Sequence, residues 1–168
     1  MKQKNENPKP VIHIKPHHFI DIITSFGASQ TVFEPHPYGH AVHTVSALIL
    51  DNPDVLMEME LGADDICKPC KHNKNGFCDD TIDTSFRPEA PPLKLKWNLL
   101  IDNRWCARLN LREGDRLTAL EFVRCLEKSA GEIIDIYREI PRELTEKRAM
   151  NFNKGIEKFQ KENKSSGS

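Results

Sequence analysis

The chain has almost no net charge: 24 basic against 25 acidic side chains leave −1 over 168 residues. No global field therefore draws it to nucleic acid or to an anionic bilayer, and neither is expected as a partner. It also lacks long apolar runs. The longest, Val45 to Leu50, is interrupted by Ser46 and falls far short of the ~20 residues that cross a membrane. No hydrophobic segment follows the first charges, Met-Lys-Gln-Lys-Asn-Glu-Asn-Pro, so a secretory signal is not expected. Internal repeats are missing, as are a glycine-rich phosphate loop, a nucleophile elbow and a paired catalytic carboxylate motif. Cysteine is sparse and odd in number, five in all, and clustered rather than spread as a disulfide framework would be. With no export signal, that usage points to the reducing cytoplasm.

What is present is concentrated in one place. Cys67-Lys-Pro-Cys70 and then Cys78 lie within twelve residues, in a loop that also holds Asp64, Asp65, Gly76, Asp79 and Asp80. A C-x-x-C turn points two thiolates at one centre, and the seven residues that follow, relaxed by Gly76, bring a third back to it. Three sulfurs in that spacing hold zinc or an iron–sulfur cluster, and spacing alone does not separate the two. The loop has few apolar residues to fold around, so a bound metal would supply its ordering energy. The four aspartates read as turn formers flanking it.

An apolar share of 38% and a charged share of 29% suit one globular domain with a modest core. Residues 1–10, polar and carrying Lys2, Lys4 and Lys9, read as a disordered basic arm, and 164–168 as a flexible tail. Between them, 11–163 is expected to form a single metal-binding domain: histidine-containing helices and a strand over 11–62, the cysteine loop over 63–80, a helical half over 93–163. Val11 to Lys15 alternates as a short strand. Pro16 suits the first position of a helix running to about Ser25 and closed by Gly27, with Phe19, Ile22, Ile23 and Phe26 as its buried stripe and His17, Asp21 and Thr24 opposite. A second helix is expected near Tyr38 to Leu50, a strand over Val55 to Leu61, and a third helix near Lys96 to Leu109. Arg112-Glu113-Gly114-Asp115 reads as a turn. Thr118 with Glu121 forms a capping box for the next helix, and Ser129 with Glu132 suggests another ended by Pro141. A last helix is expected over Arg142 to Glu162. The fold class is thus mainly α, an α+β arrangement with a few short strands: one helical domain with a cysteine-rich metal loop.

The run Lys15-Pro16-His17-His18-Phe19, then Asp64-Asp65-Ile66-Cys67-x-x-Cys70 with Cys78, then Leu111-x-x-Gly114, resembles the bacterial and archaeal family known as domain of unknown function 1284. The likeness covers residues 11–125. It implies a small iron–sulfur protein, without implying an activity. In that family a cysteine follows the paired histidines after two residues; here the position is Asp21. Tyr38-Gly39-His40 stands where the family has a stretch of small residues. The resemblance therefore implies an iron–sulfur centre on Cys67, Cys70 and Cys78 with Asp21 in place of a fourth thiolate.

His17 competes for that place. At the first turn of a helix the dipole favours the neutral imidazole that metals need, and Asp21, one turn on, is positioned to accept its other ring N–H. That would give a Cys3His zinc site. His18, His72 and Cys106 are further fourth-ligand candidates. His36, His40 and His43 read either as a solvated face or as a second metal site, and Cys125, Trp97 and Trp105 as core. The expectation is a cytoplasmic iron–sulfur protein of redox or accessory role, acting with a redox or enzyme partner protein. A zinc-stapled interaction module and a metalloenzyme using the N-terminal histidines are the alternatives.

Overall fold

Ile12 and Ile14 alternate with half-buried His13, and these three residues make strand β1 (Ile12–Ile14) in the computed structural model, which describes residues 9–164. Most of the expected arm and tail, residues 1–8 and 165–168, lies outside the described residues. Pro16 opens α1 (Pro16–Gly27), whose Phe19, Ile22, Ile23 and Phe26 are buried as their spacing predicts. Next come α2 (Val42–Asp51), β2 (Leu56–Met59), a hairpin of β3 (Asn73–Lys74) and β4 (Phe77–Cys78), α3 (Lys94–Leu109), β5 (Arg116–Thr118), α4 (Ala119–Ser129) and α5 (Arg142–Lys164). The fold is α+β and mainly helical. No helix among the described residues is long and apolar enough to cross a membrane.

β2 is the centre of a three-stranded sheet. β1 pairs with it in parallel, Ile12 opposite Met57, and β5 antiparallel, Leu117 opposite Met57. The turn before β5 is the one Gly114 permits, at φ +87°, with the Gly114 amide donating to the Met59 carbonyl. α1 packs on α5 and α3, and the Phe19 ring stacks on Phe122 of α4 with centroids 4.4 Å apart. The Thr118–Glu121 capping box closes in both directions.

Two expectations change. α2 begins at Val42 rather than Tyr38, because Gly39 at φ +75° breaks the helical path. The helix expected after Ser129 does not form. Arg104 and Arg108 of α3 take carbonyls there that a helix would use internally: Arg108 bonds to the Ala130 and Glu132 carbonyls, Arg104 to that of Ile136, and Arg104 also grips Glu139 with two bonds of 2.8 and 2.6 Å. Gly27 ends α1 as expected, without a left-handed φ. It is where α1 crosses α5. A Cβ on Gly27 would run into the Asn151 carbonyl oxygen, and one on Gly155 into that of Ile23.

At this crossing two effects compete. Gly155→Ala raises intrinsic helix propensity by about 1 kcal/mol, but forces a methyl against backbone that has no rotamer to yield. Overpacking of that kind costs about 1–3 kcal/mol or more, and the second effect prevails. Gly155→Ala and Gly27→Ala should each lower the thermal unfolding midpoint by roughly 3–10 °C. An unchanged midpoint would show that the helices separate freely.

Candidate metal centre

The first amides of a helix have no partner within it and attract negative charge. In α1 the cap residue Lys15 supplies no side-chain bond. Two buried aspartates from elsewhere in the chain do the work instead. The Lys15 N–H donates to Asp64 Oδ2 at 2.8 Å, and the His17 N–H to Asp102 Oδ1 of α3 at 2.8 Å. Each carboxylate also accepts a ring N–H. His17 Nδ1 lies 2.8 and 2.9 Å from the two Asp102 oxygens, and His18 Nδ1 lies 2.6 Å from Asp64 Oδ2. An ionised carboxylate only accepts, so Nδ1 carries the proton in both rings. In the neutral form of either ring the lone pair is then on Nε2, the arrangement metal-binding histidines adopt; for His17, whose pKa Asp102 raises, a metal would compete with a proton for that nitrogen.

Asp64 does a third thing: its Oδ1 accepts the Cys67 N–H at 3.0 Å. It thereby fixes the start of the cysteine loop to the start of α1, assisted by its neighbour Asp65, which accepts the His13 N–H at 2.8 Å. From Cys67 the loop turns tightly, the Cys70 amide donating to the Cys67 carbonyl and the Asn73 amide to that of Cys70. The β3–β4 hairpin then sets Cys78 opposite Asn73.

These elements enclose a cavity of about 470 Å³. Cys67, Cys70 and Cys78 all line it, each a half-buried free thiol, together with His17, His18, Asp21, His40 and His72. Most of the candidates thus meet in one place. Cys106 does not line it; burial, with the charge of Asp102, pushes its thiol up to about 11. His36 stacks on His40, ring centroids 4.1 Å apart. The three cysteine sulfurs do not all approach within 4.8 Å of one another; the trio among the described residues that does is His18, Asp64 and Cys67.

Some roles differ from those the spacing predicts. Asp21 does not accept the His17 ring proton: Asp102 does, and the Asp21 carboxylate is ion-paired with Arg148 of α5. His17 is buried rather than solvent-facing. Asp64, read as a turn former, has no exposed surface and organises three segments. Asp102 was not singled out by sequence reasoning, although a carboxylate beside Ile101 in the buried Trp97–Ile101–Trp105 stripe is a legible signal. Lys15 was also missed; its buried ammonium lies 3.6 Å from Cys67 Sγ.

The electrostatics follow from these contacts. Burial opposes the charge on Asp64, yet the His18 imidazole, the Lys15 amide and the Lys15 charge together hold its carboxyl well below the usual range. Burial likewise opposes a charged His17, but Asp102 outweighs it and raises the pKa. Burial, with the charge of Asp64, pushes the Cys67 thiol up to about 12. Metal-free Cys67 is therefore a thiol at neutral pH, and a metal ion would have to displace its proton. The donor set fits a thiophilic metal: three thiols on one wall and two imidazoles with free Nε2 atoms beside them.

No family model, curated protein or solved structure matches the chain.

Asp64→Ala removes a buried charge and strands the ring and amide donors it satisfies. It should cost about 3–5 kcal/mol in urea unfolding. The pH dependence has a definite sign. A depressed folded pKa contributes stability above the unfolded value near 3.9 that is lost as pH falls. The metal-free protein should therefore lose stability steadily below about pH 5, and Asp64→Asn should flatten that limb. An equally steep limb in the variant would show that other carboxylates carry it.

Proposed function

We propose that this protein binds an iron–sulfur cluster in the cavity, with Cys67, Cys70 and Cys78 as thiolate ligands, and serves a redox or accessory role in the cytoplasm with a partner protein. One observation carries the reading: three free thiols from one loop and the Nε2-presenting histidines of α1 line the same cavity. The likeness to the domain of unknown function 1284 family points the same way. That likeness is the ground for preferring a cluster to a single ion; in the metal-free protein at least one pair of the three sulfurs lies more than 4.8 Å apart, against about 3.8 Å in tetrahedral zinc, so either guest would draw the thiols into place. Lys15 beside Cys67 would offset part of the negative charge that thiolates bring. For the fourth position His17 or His18 is better placed than Asp21, whose carboxylate Arg148 already holds.

A second reading rests on the closeness of Cys67 to His18. There a single zinc takes those two donors, with other thiolates drawn in on binding, either as a structural staple or as a catalytic ion beside the histidines.

Metal and sulfide analysis of anaerobically purified protein separates the two. Iron with acid-labile sulfide and visible charge-transfer absorption is expected, and single Cys67→Ser, Cys70→Ser and Cys78→Ser variants should each lose most of both. One tightly held zinc without sulfide would replace the first reading by the second. Protein that takes up neither metal after reconstitution would overturn both.

A further inference from the structure

The wall of the cavity is cationic. Lys15, Arg87, Lys94 and Arg148 line it against two lining carboxylates, Asp21 and Asp80. Those two carboxylates are already used. Arg148 pairs with Asp21, and Lys94 with Asp80 at 3.1 Å. Lys15 faces the Cys67 sulfur. Arg87 is different. Its Nε donates to the Asp83 carbonyl at 2.8 Å, and no carboxylate lies within ion-pair distance of it among the described residues. Its guanidinium is held by aromatic faces instead, 5.1 Å from the Trp97 ring centroid and 4.9 Å from that of Phe86. Among the described residues the two terminal nitrogens of that fork have no protein acceptor, and they stand beside a chamber that also contains apolar surface.

That surface is ordered by helical spacing. Lys94, Trp97, Asn98 and Ile101 stand at i, i+3, i+4 and i+7 of α3 and all line the cavity. They run from a charged end, through an indole and an amide, to an aliphatic end. Ile82 and Phe33 extend the apolar part. A guanidinium fork free to bind two oxygens, backed by an indole, suits a carboxylate or phosphate group, which presents two oxygens side by side, better than a spherical ion. The volume, about 470 Å³, lies in the range of small-molecule sites.

We infer that the cavity binds a small organic oxyanion, a carboxylate or phosphate ester on an aromatic or apolar body, with Arg87 gripping the anionic group and Trp97 flanking the body. This rests on the reading that the same cavity holds the metal centre, and it names the chemical class of molecule brought beside that centre. The cations do more than balance thiolate charge, since Arg87 is directed by aromatic rings and not by any sulfur contact.

The test is calorimetric titration of the full chain, as purified, with phenyl phosphate, benzoate, inorganic phosphate and benzyl alcohol, with the metal content of each sample measured alongside. Phenyl phosphate or benzoate should bind saturably at one site per chain and compete with the other. Arg87→Gln should weaken that binding about tenfold or more, as loss of a charge-assisted pair does, and Arg87→Lys should fall between. Both variants should keep the parent's metal content, because Arg87 holds no metal, and should stay folded with at most a small drop in unfolding midpoint from the altered Trp97, Phe86 and Asp83 contacts. Equal binding of benzyl alcohol, an unchanged affinity in Arg87→Gln, or no binding by any probe would overturn the inference. Inorganic phosphate binding as tightly as phenyl phosphate would overturn the apolar-body part of it. The two readings fail separately: metal present without anion binding sinks this inference alone, while Arg87-dependent binding in a protein that takes up no metal sinks the metal centre alone.

Discussion

Much of the site depends on one buried carboxylate. Asp64 accepts from the Lys15 amide, the His18 ring and the Cys67 amide, so it closes the N-terminus of α1, sets a histidine tautomer and anchors the cysteine loop at once. A bare carboxylate with no exposed surface is costly unless its lone pairs are filled. Here the filling groups are the parts of the site itself. Asp102 makes a similar arrangement with the amide two residues further on, taking both the amide and the ring of His17. Two aspartates from distant segments thus replace the local capping residue that α1 lacks.

The periodic parts of the fold were readable from the sequence. The Phe19–Ile22–Ile23–Phe26 stripe, the Thr118–Glu121 box and the burial of Trp97 and Trp105 each follow from spacing that only local geometry enforces. What was not readable depends on partners far away in the chain. Residues 130–141 carry helix signals, but Arg104 and Arg108 intercept their carbonyls. Gly27 ends its helix as it looks to, but nothing local shows that the Asn151 carbonyl across the α1–α5 contact leaves no room for a side chain there. The cysteine spacing pointed to Cys67, Cys70 and Cys78, and all three line one cavity. It carried no information on Asp102 or Arg148, which arrive from α3 and α5.

Charge explains why Asp21 differs from a free donor. Arg148 lies against the Tyr137 ring at 4.4 Å and donates to its hydroxyl at 3.2 Å while pairing with Asp21. Pulling the carboxylate away would leave a half-buried guanidinium short of its counter-charge, a cost that solvent around the half-exposed Asp21 reduces. The cavity therefore offers sulfur and imidazole on one side and ion pairs on the other, and among the described residues neither terminal nitrogen of Arg87 has a protein acceptor.

The imidazoles and the sulfurs reach the cavity from backbones of unequal firmness. His17 and His18 belong to a helix clamped at one end by two carboxylates and at the other by a glycine-to-glycine contact. Cys70 and Cys78 belong to turns and to a hairpin of two-residue strands. One half of the receptacle is thus a fixed jaw and the other an adjustable one. A guest of a different radius would be accommodated by movement of the thiols, while the ring nitrogens keep their bearings.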